Sequence, residues 1–204
     1  MSNGVQPEDF DLGALRSGDR VEFARLVEVY YEMIYRLAIK MLADPHDAED
    51  ILQETFLKAY RHLQGFDGHS SLSTWLYRIA TNEALMFLRR KKPDQISLDE
   101  PNETLEGELK PVQIVDWCCM PEEELMSAEA LAQLDQAVIN LPASLRVVFI
   151  LRDTQGLSTR EVSEVLDLSE TAVKTRLSRA RMRLREELTS YYGEKMPEGG
   201  RDGT

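Results

Sequence analysis

Between Lys174 and Arg185 the chain carries six basic side chains, Lys174, Arg176, Arg179, Arg181, Arg183 and Arg185, and no acidic one. So many cations within about three helical turns can hold phosphates. On a helical wheel at about 100° per residue, Val173, Leu177, Ala180 and Leu184 share one narrow stripe, which must face a core. Thr171, Thr175, Ser178 and Met182 lie opposite it. The cations flank them, with Lys174, Arg181 and Arg185 on one side and Arg176, Arg179 and Arg183 on the other. Such a helix suits a DNA major groove, where small polar side chains face base edges and long cationic arms reach phosphates on both walls. Thr171, Lys174, Thr175, Arg176, Ser178 and Arg179 are the candidate contacts. A charge run alone more often marks a solvated helix face, so the elements around it decide.

Those elements are all helical by pattern. Apolar periodicity predicts helices over 123–140 and 143–155, separated by Leu141-Pro142. Gly156 ends the second, Ser158 is placed to cap a short helix over 159–166, and Ser169 caps the basic helix over 170–189. A short helix, a tight turn and a longer helix make a helix-turn-helix, and this layout favours DNA contact. The apolar stripe of the basic helix is expected against Val162, Val165 and Leu166. A lone module of this size neutralises few phosphates and needs a second contact or a larger partner.

The first part of the chain supplies a second helical unit. Helices are predicted over 9–16, 20–42, 46–63 and 71–91, the second carrying Val21, Phe23, Leu26, Val27, Tyr30, Ile34, Leu37 and Met41 at helical spacing. Asp44-Pro45 starts the third as N-cap and first helical position, and Ser71 or Ser73 caps the fourth. The expected fold is therefore all-α. One domain spans 9–92 and a second 123–192, with a tail over 193–204 expected to be disordered. Residues 93–122, with four prolines and many acids, are expected to be a flexible linker. The formal net charge of −12 is concentrated there: residues 1–92 carry −2, residues 93–126 carry −9, and residues 127–204 carry −1. Overall acidity is thus no argument against nucleic-acid binding.

Other chemistries find little support. No Gly-rich phosphate loop or metal-spaced cluster is present, and no cofactor is expected. Cys118 and Cys119 are adjacent, while His46, His62 and His69 lie in the other domain, so four ligands for zinc do not assemble. Asp44, Asp47, Glu49 and Asp50 are better explained as the acidic start of a helix than as a catalytic set. No apolar run is long enough to span a membrane and no secretory signal opens the chain, so the cytoplasm is the expected compartment.

The stretch LPASLRVVFILRDTQGLSTREVSEVLDLSETAVKTRLSRARMRLREEL (141–188) resembles region 4 of bacterial sigma factors, specifically the extracytoplasmic-function group. DPHDAEDILQETFLKAYRHL (44–63) is similar to region 2.2 of that group, and SSLSTWLYRIATNEALMFLRRKK (70–92) to its regions 2.3 and 2.4. The resemblance implies that region 2.2 docks on the β′ subunit of core RNA polymerase, with Asp50, Gln53 and Glu54 at the matching positions, and that region 4 meets the β flap. It implies recognition and opening of the promoter −10 element by the helix carrying Trp75, Tyr77, Arg78, Asn82, Arg89 and Arg90, with the loop 65–71 forming a pocket for a flipped base. Arginines suit a DNA backbone and aromatic rings suit an unstacked base. Trp75, at helical spacing with Ile79 and Met86, is equally readable as core. The basic helix would read the −35 element, and the acidic linker would thread the polymerase. An anti-sigma factor that binds both domains is a further implied partner. The competing reading is a stand-alone helix-turn-helix regulator, which would need neither the region 2 motif nor the acidic tether.

Overall fold

The computed structural model describes residues 10–91 and 128–195. Four helices form the first domain: α1 (Leu12–Arg16), α2 (Arg20–Leu42), α3 (Pro45–His62) and α4 (Leu72–Lys91). Four more form the second: α5 (Ala128–Asn140), α6 (Ala143–Phe149), α7 (Thr159–Leu166) and α8 (Glu170–Lys195). A 3-10 turn follows α3 at Leu63–Gly65, and α6 runs into a π-helical turn at Ile150–Thr154. No strand occurs among the described residues, in keeping with the all-α expectation. The expected linker and the Cys118-Cys119 pair lie outside the described residues, as does most of the tail. Helix α8 continues to Lys195, past the expected domain boundary at 192.

Local chemistry sets the helix starts. The carboxylate of Asp19 accepts from the Val21 and Glu22 amides at the head of α2, and Asp44 accepts from His46 and Asp47 at the head of α3, with Pro45 in the first turn. Each satisfies amides that no helical carbonyl reaches and places negative charge at the positive end of the dipole. At α4 the Thr74 amide donates to Ser71 Oγ at 3.1 Å, so Ser71 is the cap. Helix α2 ends at Ala43, which takes a left-handed conformation (φ 60°) before Asp44 opens α3.

In the first domain α2, α3 and α4 pack on one another around Leu26, Ile34, Leu37, Met41, Ala59, Leu76 and Ala80. Burying each such leucine stabilises the bundle by roughly 1.5–3 kcal/mol relative to exposure. Val21, expected in the same stripe, is instead 80% exposed, because the buried face of α2 begins only at Leu26. In the second domain α8 is the central element, and α5, α6 and α7 all lie against it. Val173, Leu177, Ala180 and Leu184 are its buried stripe, as expected, sharing a core with Val162 and Val165; Leu166 is half-buried.

The two domains also pack against each other. Helix α7 lies on α4, and α2 touches α5, α6 and the π-helical turn. Across the seam the Tyr77 hydroxyl is 2.9 Å from Gln155 Oε1, and Arg146 Nη1 donates to the Met41 carbonyl at 2.6 Å. Lys40 and Asp135 form a longer ion pair at 3.7 Å.

Candidate nucleic-acid interface

A tight turn between α7 and α8 aims the basic helix. Asp167 closes α7 in the left-handed conformation (φ 54°), which a short polar side chain tolerates better than most. The Leu168 amide donates to the Ser163 carbonyl, and the Ser163 hydroxyl returns a bond to the Leu168 carbonyl at 2.6 Å. Ser169 then caps α8, its Oγ accepting from the Ala172 amide at 3.1 Å. At the other end of α7, Ser158 and Glu161 satisfy each other's amides in a capping box, and these bonds hold the Glu161 carboxyl below its ordinary pKa. With both ends of α7 fixed, the path into α8 has little freedom.

On α8, Thr171, Lys174, Thr175 and Ser178 are exposed on the face away from the core. The Thr175 hydroxyl donates to the Thr171 carbonyl at 2.9 Å, which orients its methyl and oxygen on that face. Arg176 and Arg179 are half-buried along one flank, and Arg183 and Arg185 are exposed. Arg181 departs from the sequence expectation. Its Nε and Nη2 donate to both carboxylate oxygens of Asp153 at 2.9 and 2.8 Å. The run has no acid within it, yet a neighbouring element supplies one. The π-helical turn that carries Asp153 is closed by the Gln155 amide bonding back five residues to the Ile150 carbonyl at 2.8 Å.

A second cationic face lies on α4. Trp75, Arg78, Asn82, Met86 and Arg89 recur at spacings of three and four and so share one side of the helix. Arg78, Asn82, Arg89 and Arg90 are exposed there. Trp75 is half-buried, its ring 5.1 Å from that of buried Phe66 at a tilt of 47°. One edge of the indole thus leans on the loop 65–71. That loop is tied down in turn, since Arg16 Nε donates to the Phe66 carbonyl at 2.8 Å. Tyr77, grouped with these residues by sequence, faces the other way. It is 4% exposed, bonded to Gln155, and burial pushes its phenol well above the ordinary tyrosine pKa.

A third surface lies on α3. Asp50 and Gln53 are exposed, while Glu54 is half-buried and paired with Lys58 at 3.6 Å; Lys58 also holds Glu83 of α4 at 2.6 Å. Beside Gln53 opens an apolar groove of about 590 Å³ between α2 and α3, lined by Val27, Tyr31, Leu57 and Tyr60 among others. Leu57 is 51% exposed, and Tyr31 and Tyr60 are each 41% exposed. Sequence reasoning did not single out these residues. The available signal was Leu57, which falls outside the buried 51/52/55/56/59 period and so had to face water or a partner. Among the described residues no group of three His, Cys, Asp or Glu is placed to hold a metal, and no helix is long and apolar enough to cross a membrane.

A helix-turn-helix with a polar, cation-flanked face, joined to a helical bundle with its own arginine-bearing face, defines a two-domain DNA-binding protein. The family model for Sigma-70 region 2 matches residues 26–93, and that for Sigma-70, region 4 matches residues 131–184. The chain is 40% identical over 174 residues to the ECF RNA polymerase sigma factor SigW of Bacillus subtilis, covering 85% of this chain and 92% of that protein. It is 36% identical to the RNA polymerase sigma-H factor of Pseudomonas aeruginosa, over 82% of this chain and 86% of that one. The chain belongs to the ECF sigma factors of the sigma-70 family. In fold it is similar to CnrH, solved in complex with the cytosolic domain of CnrY, at a TM-score of 0.62 and 24% identity over 88% of this chain and 95% of that one. It is similar also to the sigma factor RpoE of Bartonella quintana, solved with the anti-sigma factor NepR, at a TM-score of 0.61 and 22% identity over 82% and 97%.

Proposed function

We propose a division of labour in which three surfaces of one chain direct core RNA polymerase to promoters. Helix α8 reads the −35 element, with Thr171, Thr175 and Ser178 toward base edges and Lys174, Arg176 and Arg179 toward phosphates. Helix α4 engages the −10 element through Arg78, Asn82, Arg89 and Arg90, with the exposed part of Trp75 offered to an unstacked base. The α3 face of Asp50, Gln53 and Glu54, together with the groove around Leu57, docks on the β′ subunit, and the second domain meets the β flap. The observation that carries this reading is that two separate polar and cationic faces, on α4 and α8, occur in one chain beside an α3 face on which Asp50, Gln53 and Leu57 stand exposed at an apolar groove. A stand-alone regulator accounts for the α8 face alone. The relatives solved with an anti-sigma factor and with the CnrY cytosolic domain support a protein inhibitor for this chain too, one that competes with core polymerase.

The test is charge reversal. Asp50→Lys with Glu54→Lys should weaken binding to core polymerase by tenfold or more, on the order of an interface hot spot, and leave the helical circular dichroism unchanged. Arg176→Ala and Arg179→Ala should bind core normally and lose initiation at the −35-dependent promoters. Unchanged core binding by the reversed protein would remove the α3 assignment.

A further inference from the structure

Lys58 stands between two helices with different proposed tasks, docking on α3 and promoter contact on α4. Its ammonium lies 2.6 Å from Glu83 Oε1 on α4 and 3.6 Å from Glu54 Oε1 on its own helix. The first distance is a charge-assisted hydrogen bond; the second is beyond hydrogen-bond reach and leaves Coulombic contact alone. Burial explains the preference. The Glu83 side chain keeps 12% of its exposure and the Glu54 side chain 41%, so Glu83 has lost most of the water that would solvate its charge and needs the cation more. A second ion pair, Lys91 with Asp47 at 2.7 Å, joins the end of α4 to the start of α3. Asp47 and Lys58 follow one another along α3 while their partners Lys91 and Glu83 run the other way along α4, so the two helices lie antiparallel. Of these two pairs, it is the Lys58 pair that reaches Glu54.

We propose that Glu83 is a positioning residue for polymerase docking: by holding Lys58 against α4, it keeps Glu54 uncompensated and the α3 face acidic. This rests on the assignment of Asp50, Gln53 and Glu54 to core binding above. An acidic face suits a partner whose complementary groups are cations. Glu54, Lys58 and Glu83 together carry one net negative charge, and Glu83 decides where the single cation stands. Without the Glu83 charge, Lys58 is one helical turn from Glu54, at the i,i+4 spacing with glutamate first that favours pairing. A lysine folded onto Glu54 neutralises it and competes with the incoming cation of the partner. Without Lys58, by contrast, both carboxylates stay charged and the face becomes more acidic. The two members of one ion pair should therefore act on core affinity in opposite directions, although each stabilises the same contact between α3 and α4.

The experiment is equilibrium competition of the full chain for purified core RNA polymerase, at about 0.1 M salt, where exposed charges act over about 10 Å. Thermal melts of the free proteins accompany it. Glu83→Gln should weaken core binding about threefold and Lys58→Gln should strengthen it about threefold, the scale of one exposed charge pair. Both should melt below wild type, since each breaks the α3–α4 pair. The double variant separates this relay from an effect of net charge. With Lys58 gone, Glu83 has no cation to hold, so Lys58→Gln with Glu83→Gln should bind core like Lys58→Gln alone, whereas additive charges would return it to wild type. It should also melt above Lys58→Gln, because it strands no carboxylate at the contact. Two single variants that both weaken core binding make the pair structural only and overturn the proposal. So does a double variant at wild-type affinity. Glu54→Gln in the same assay reads the docking assignment separately. It should weaken core binding; if it does not, Glu54 is off the interface and the proposal falls with that assignment. A weakened Glu54→Gln beside an unchanged Glu83→Gln strikes the relay alone.

Discussion

Arg181 offers a sharp test of how the cations of α8 divide their work. Its guanidinium holds both oxygens of Asp153 at 2.8–2.9 Å, and the two side chains retain 36% and 23% of their exposure. Two parallel charge-assisted bonds are stronger than a single surface pair, but partial exposure screens them, so the pair should contribute about 1 kcal/mol, the top of the range for exposed ion pairs. Arg181→Gln should therefore lower the melting temperature by about 2–4 °C for a chain of this size. Its effect on DNA should be small, because the charge is already neutralised by Asp153. Titrations of promoter fragments with the assembled holoenzyme over a range of salt concentrations would show this. Lys174→Gln should flatten the slope of log affinity against log salt by about 0.9, the signature of one lost phosphate contact, and Arg181→Gln should change it by much less. Asp153→Asn should lower stability by a similar amount and steepen the slope, since it releases a cation beside the groove. A double-mutant cycle on stability should return the coupling of about 1 kcal/mol. The reasoning is refuted if Arg181→Gln flattens the salt slope as much as Lys174→Gln does, or if the cycle shows no coupling.

Three further outcomes follow from the same structure. Leu184, 2% exposed at the centre of the second domain, should cost about 2–5 kcal/mol on truncation in Leu184→Ala, read from urea unfolding of that domain. Glu161 has a folded pKa below its ordinary value, so its contribution is complete above the usual glutamate range and is lost as pH falls through the lowered value; Glu161→Gln should be less stable than wild type near neutrality and converge with it in acid melts. Leu57→Ser, at a half-exposed position, should change stability by no more than about 0.5 kcal/mol and yet weaken core polymerase binding about tenfold, measured by competition for core enzyme.

What the sequence disclosed and what it hid divide along the range of the interactions. Asp44, Ser71, Ser158 and Ser169 were readable as caps because each bonds amides two or three residues away, and all four do so here. The buried stripe of α8 was readable because a period of 3.6 assigns Val173, Leu177, Ala180 and Leu184 to one face whatever they pack on. Arg181 was misjudged because its partner lies 28 residues earlier, on a π-helical turn that no propensity rule marks. Tyr77 was misjudged for a similar reason, since Gln155 is 78 residues away and on another domain. The Leu57 groove was overlooked because an exposed leucine is common on its own; Tyr31 and Tyr60, from two helices, make it a surface.

The central claim is that this chain confers promoter-specific initiation on core RNA polymerase, and run-off transcription measures it directly. Purified core enzyme is incubated with a genomic promoter library, alone and with the purified chain, and the transcripts are sequenced from their 5′ ends. The account predicts transcripts only when the chain is present. Their start sites should be aligned on two shared upstream elements, and they should be lost when Asp50 and Glu54 are both changed to lysine. Start sites that are the same with and without the chain, or transcripts that rise while core binding is absent, would contradict it.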